Sequence, residues 1–196
     1  GREAHAAGAL VLYGRCDEDL GSPYQPWVQA LGHYAVHTAP EELKRLLAES
    51  GAEVVRIVPD LARRVPEVAV PAASDPEGAR FALFESIDGL LAAVSRGPPI
   101  LVVLDDLHWA DKSSLVLLRH VARSQRDAAL LVLATYRETD LSRTHPLTEV
   151  LADLRREARV ERMLLRGLDR ADLTTLVAAR AEQEPPAELV EALHAE

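Results

Sequence analysis

Apolar residues in this chain follow two patterns. Three short unbroken runs, Ala9–Tyr13 (ALVLY), Ile100–Leu104 (ILVVL) and Ala128–Ala134 (AALLVLA), predict strands. The second and third have the character of strands buried on both faces of a parallel sheet. Val160–Leu165 reads as a weaker strand. Elsewhere the apolar positions recur three and four apart, the spacing of one helix face. Trp27, Leu31 and Tyr34 predict a helix over 24–37, following a break at Gly21-Ser22-Pro23. Leu43, Leu46 and Leu47 mark another, opened by Pro40 with Glu41 and Glu42 in its first turn.

A short helical stretch lies between Pro59 and Pro66, and a turn-rich connection spans 70–76. Phe84, Ile87, Leu91 and Val94 give the clearest helical stripe; Asp75-Pro76-Glu77 starts it and Gly97-Pro98-Pro99 stops it, with a left-handed glycine cap expected. Leu115, Leu118 and Val121 mark the next helix. Pro146 opens one with Leu147, Val150, Leu151 and Leu154, Asp169 caps one with Leu173, Leu176 and Val177, and Pro185-Pro186 begins a last one. Strands alternating with helices predict a parallel α/β sheet. The gap between the first two strands is too long for one crossover helix, so an inserted helical element is expected there.

Composition narrows the possibilities. Hydrophobic residues are 48% of the 196, enough for a core and against disorder. Lys and Arg number 22 against 31 Asp and Glu, a net charge of −9 that disfavours phosphate backbones, so direct nucleic-acid contact from this segment is not expected. The apolar runs are too short to cross a bilayer. The single cysteine, Cys16, excludes an internal disulfide and a thiolate zinc site. Lys44 and Lys112 are the only lysines, and the Ala, Leu, Val and Arg bias suggests a high-GC bacterial source. The chain opens Gly-Arg-Glu-Ala-His, with no signal-like apolar start, and stops within a helical pattern; a piece of a longer cytoplasmic protein is expected.

Ligands of open parallel sheets bind beyond the carboxyl ends of the strands. Here those ends are Arg15-Cys16-Asp17, Asp105-Asp106 and Thr135-Tyr136-Arg137, which would gather acids and arginines at one edge. Two carboxylates at a buried strand tip suit a metal ion and a water attacking a phosphate; an exposed acidic loop fits the apolar-run pattern equally well.

The longer string Leu104-Asp105-Asp106-Leu107-His108-Trp109-Ala110-Asp111 resembles the Walker B segment of STAND-type ATPases. It is most similar to the AAA-type module of large bacterial regulators: LuxR-type factors, regulators with a bacterial transcriptional activation domain, and cyclase-fused proteins. Tyr13–Glu18, Pro23–Trp27, Ala134–Arg137, His145-Pro146-Leu147 and Leu165–Leu168 resemble further landmarks of that module in order and spacing, from about Ala9 to the end. The resemblance implies a P-loop NTPase core over 1–167, AAA-like and truncated before its phosphate-loop strand, and the start of a helical lid over 168–196.

It also implies ATP and Mg²⁺ as ligands. Asp105 would be the magnesium-associated acid, Asp106 the catalytic acid that activates water, and Arg137 a sensor near the γ-phosphate. A surface Arg137 paired with Glu138 or Asp140 is the plainer reading. For His108 and Trp109, packing is favoured over catalysis. The partners implied are ATP or ADP in the whole protein and other domains of the same chain, with no membrane, and a homo-oligomer is compatible.

No Gly-x-x-x-x-Gly-Lys-Ser/Thr loop occurs in the 196 residues. The family places that loop before Gly1, with its first helix ending near 1–8 and its strand expected beside the Walker B strand. The piece alone is therefore expected neither to hydrolyse ATP nor to hide its apolar edges. The alternatives are a non-enzymatic regulatory scaffold and, less suited to adjacent acids, an acid-pair enzyme. His33 and His37, the arginines of 155–166, Cys16, Ser113 and Ser114 are read as structural.

Overall fold

The computed structural model describes residues 1–18, 22–69, 75–124, 128–157, 159–181 and 185–195. Gly21 and residues 70–74 of the expected connection lie outside them. The chain forms two compact units, Gly1–Val160 and Glu161–Glu196.

The first unit begins with α1 (Arg2–Ala6) and β1 (Leu10–Arg15). Between β1 and β2 (Ile100–Asp105) lie α2 (Gln25–His37), α3 (Pro40–Ser50), α4 (Pro59–Arg64) and α5 (Pro76–Val94). This is the inserted helical element expected from the long gap. After β2 come α6 (Lys112–Ser124), β3 (Leu130–Ala134) and α7 (Pro146–Leu154). Proline stands in the first turn of α2, α3, α4, α5 and α7, where its missing N–H costs nothing. Asp75 caps α5 by accepting from Gly78 N at 2.7 Å. The expected left-handed Gly97 cap is not found: α5 ends at Ser95 in the right-handed region, and among the described residues the glycines with positive φ are Gly8 and Gly51.

The three strands are parallel in the order β1-β2-β3, with Leu10 opposite Ile100 and Ile100 opposite Leu130. Both neighbours of β2 are thus occupied. A further strand cannot lie beside β2, contrary to the expectation for the phosphate-loop strand; it can join only at the β1 or β3 edge.

One sheet face meets the helices. Leu12, Val102 and Leu104 on it are buried, together with Trp27 and Leu31 of α2 and Leu115 and Leu118 of α6. Gly14 on this face is required by close approach, because a Cβ there would meet Pro26 O of α2 at 1.8 Å. The opposite face is only partly covered. Leu101 is buried, whereas Tyr13, Leu131 and Leu133 are 49%, 64% and 50% exposed. The expectation that β3 is buried on both faces therefore fails, because β3 is an edge strand covered from one side.

In the second unit, Glu161–Asp169 is exposed and irregular, so the strand expected over Val160–Leu165 does not form; Met163, Leu164 and Leu165 find no ladder to join. Then follow α8 (Arg170–Ala181), with Asp169 Oδ1 accepting from Asp172 N at 2.8 Å, and α9 (Ala187–Ala195). No helix among the described residues is long and apolar enough to cross a membrane.

Candidate functional site

The carboxyl ends of the three strands finish side by side. Backbone bonds pin them together: Cys16 N donates to Asp105 O (3.0 Å), Thr135 N to Leu104 O (3.0 Å) and Leu107 N to Thr135 O (2.9 Å). Asp105 is the last residue of β2, and Asp106 follows in the left-handed region, φ 58° and ψ 43°. A non-glycine residue is uncommon there, and Asp is among those that tolerate it. This turn frees Asp106 from strand alternation, so both adjacent acids serve one edge.

Thr135 links the two. Its hydroxyl donates to Asp105 Oδ1, and its oxygen accepts from Asp106 N at 3.1 Å. Tyr13 OH donates to Asp105 Oδ2 at 2.8 Å. The Thr135 hydrogen bond is the largest influence on the Asp105 carboxyl; burial opposes it, but with the Tyr13 hydrogen bond and the charge of Arg15 the carboxyl is held below its ordinary range. The same bond to Asp105 raises the Tyr13 phenol.

Arg15 grips Asp106 from β1. Its Nε and Nη2 both lie 2.9 Å from Asp106 Oδ2. The guanidinium is itself pushed up, first by the charge of Asp106. Of the acids and arginines expected to gather at this edge, the geometry brings together Asp105, Asp106 and Arg15. Cys16, beside it, is 1% exposed; burial pushes its thiol up to about 12, which suits an inert packing residue.

His108 is buried behind the tip. Its Nδ1 accepts from Arg137 N at 3.4 Å, so its proton is assigned to Nε2, which lies 3.4 Å from Asp140 Oδ2 and 4.0 Å from Asp106 Oδ1. The Arg137 side chain is exposed, and its backbone is what ties it to the site. His145 continues the chain of contacts: its Nε2 donates to His108 O (3.0 Å), and its Nδ1 accepts from Leu147 N at the start of α7 (3.1 Å). Asp111 closes the string as a clamp. Its Oδ1 accepts from Ser113 N and Ser114 N, and its Oδ2 from the Ser114 hydroxyl and from Tyr24 N at 3.1 Å. Ser113 and Ser114 therefore start α6, as read from the sequence.

Tyr13, Thr135 and Asp111 were not singled out individually from sequence. Tyr13 and Thr135 contact Asp105 from residues 92 and 30 positions away, a distance no local pattern encodes. The signal that could have found them is their place at the ends of apolar runs.

The sequence model of the AAA ATPase domain family matches residues 2–133. The match covers most of the chain, which belongs to that family. Its members use nucleotide and Mg²⁺ in general. No curated protein and no solved structure matches the chain.

The donors at the strand tips suit that chemistry. Asp105, Asp106 and Thr135 offer only oxygens, the ligands a hard cation prefers. Among the described residues the glycine-rich cradle for phosphates is not found, and Lys44 is engaged with Glu41 and Glu67.

Proposed function

We propose that this edge is the magnesium and water-activating side of an ATP site in a STAND-type regulatory switch, of the kind found in large bacterial cytoplasmic regulators. One observation carries the reading: Asp105 and Asp106 stand on one strand tip with Thr135 bonded to both. Asp105, held ionised, is the residue to hold Mg²⁺, which when bound neutralises charge on the β- and γ-phosphates. Asp106 orients water and takes its proton at Oδ1, the oxygen that Arg15 does not hold. Arg137 reports the state of the terminal phosphate through the His108 contact. A glycine-rich phosphate loop, carried on a strand added at the β3 edge, supplies the cradle. Residues from about 168 begin a helical lid, and closure of the lid over nucleotide is what the output domain reads.

The test uses a protein carrying this sequence together with a glycine-rich phosphate loop. Asp106→Asn there lowers phosphate release by roughly 10²-fold or more while ATP binding persists. The 196 residues alone bind ATP weakly; tight binding by them overturns the assignment of the cradle.

A second reading is a nucleotide-binding scaffold without turnover. It is favoured by the two-atom grip of Arg15 on Asp106, which neutralises the base. Unchanged phosphate release and signalling in Asp106→Asn selects it.

A further inference from the structure

A second constellation lies away from the strand tips, on the neighbouring helices α5 and α6. Glu85 and Asp88 are three apart on α5 and so share one face. His120, on α6, faces them. One ligand atom from each of the three lies within 4.8 Å of the other two. His120 Nε2 is 2.8 Å from Asp88 Oδ2 and 3.5 Å from Glu85 Oε1.

The environment is graded. Asp88 is 7% exposed, the His120 side chain 24% and that of Glu85 55%. Phe84 covers the imidazole, its ring centroid 5.3 Å away. His120 Nε2 is shut off from solvent and faces the Asp88 carboxylate at 2.8 Å, so the ring edge is turned toward both acids.

The donor set narrows which ion would fit. Zinc holds imidazole nitrogen and carboxylate oxygen at about 2.0–2.2 Å, so two ligands on one zinc stand about 3.0–3.5 Å apart at the angles it adopts. The 3.5 Å from His120 Nε2 to Glu85 matches that spacing, and the 2.8 Å to Asp88 is shorter than it, so an ion between them would part that pair slightly. One imidazole and two carboxylates leave a fourth position for water on the exposed, Glu85 side. Imidazole selects a borderline cation over magnesium or calcium.

The geometry points to a Zn²⁺ site at Glu85, Asp88 and His120 that cross-links α5 to α6. It is independent of the nucleotide reading. It joins the inserted helices to the helix that follows Asp111, so an occupied site stiffens the scaffold behind the strand tips.

The test is a zinc titration of the 196-residue chain at low micromolar concentration against a fluorescent chelator, with Co²⁺ absorption as a second probe. The expected result is a single equivalent of Zn²⁺, with visible Co²⁺ bands from a site of low symmetry. His120→Ala abolishes both signals. Glu85→Gln, at an exposed position that leaves the fold intact, weakens binding by about tenfold or more. Should His120→Ala unfold, the Glu85→Gln result decides. Absence of zinc binding, or binding undiminished by Glu85→Gln, overturns the site and leaves an ion pair between His120 and Asp88.

Discussion

The two faces of the small sheet are built from alternate residues of the same strands, yet they differ sharply. Leu12 and Leu104 on one face are almost wholly buried, while Tyr13, Leu131 and Leu133 on the other are half exposed or more. Both faces are apolar in sequence. The difference teaches that an apolar run reports what a strand was selected to touch, and that the helices of this unit satisfy only half of that. Exposed leucines on an edge strand are a site for further chain to add.

Substitutions on the two faces sharpen the contrast. The largest effect is expected from Gly14→Val, which drives side-chain atoms into the Pro26 carbonyl. The loss is about 3 kcal/mol or more in a denaturant titration, because the backbone of α2 must move. Leu12→Ala follows, at about 2–5 kcal/mol for a buried leucine. Leu133→Thr on the open face costs less than about 1 kcal/mol. The same change reduces self-association of the 196-residue chain in light scattering. Equal losses for Leu12→Ala and Leu133→Thr would show that the open face is covered in solution.

Acid separates the strand tips from the rest. The folded-state Asp105 carboxyl is depressed, so its stabilisation is present above its unfolded value of about 3.9 and fades as pH falls through the lower folded value. Thr135→Val removes the largest cause of that depression. The stability gap between the parent chain and Thr135→Val therefore narrows below about pH 4, measured by thermal melts across pH. The smallest effect belongs to Tyr13→Phe, below about 1 kcal/mol, because its hydroxyl bond is exposed to water.

Much of the architecture was legible from periodicity. Proline and Asp75 marked helix starts because they satisfy the free N–H groups of a first turn, a rule confined to a few neighbouring residues. The strand runs and the crowded tip at Asp105 followed from parallel topology. What escaped was nonlocal. Val160–Leu165 has the composition of a strand, but a strand exists only when a partner offers its hydrogen bonds. The position of β3 beside β2 is a pairing choice that no single run encodes. The Glu85, Asp88 and His120 group joins residues from two helices, and nothing in either helix alone announces the other.

The left-handed turn at Asp106 also limits how that position can be probed. Replacing it by glutamate would ordinarily count as a conservative exchange. Here the longer residue tolerates the left-handed region less well than aspartate, whose short side chain can bond locally, and its acid group overshoots the guanidinium of Arg15. Asparagine and glycine both keep the bend while deleting the charge, and asparagine also keeps the side chain's size, so it best separates what the carboxylate does from what the bend does.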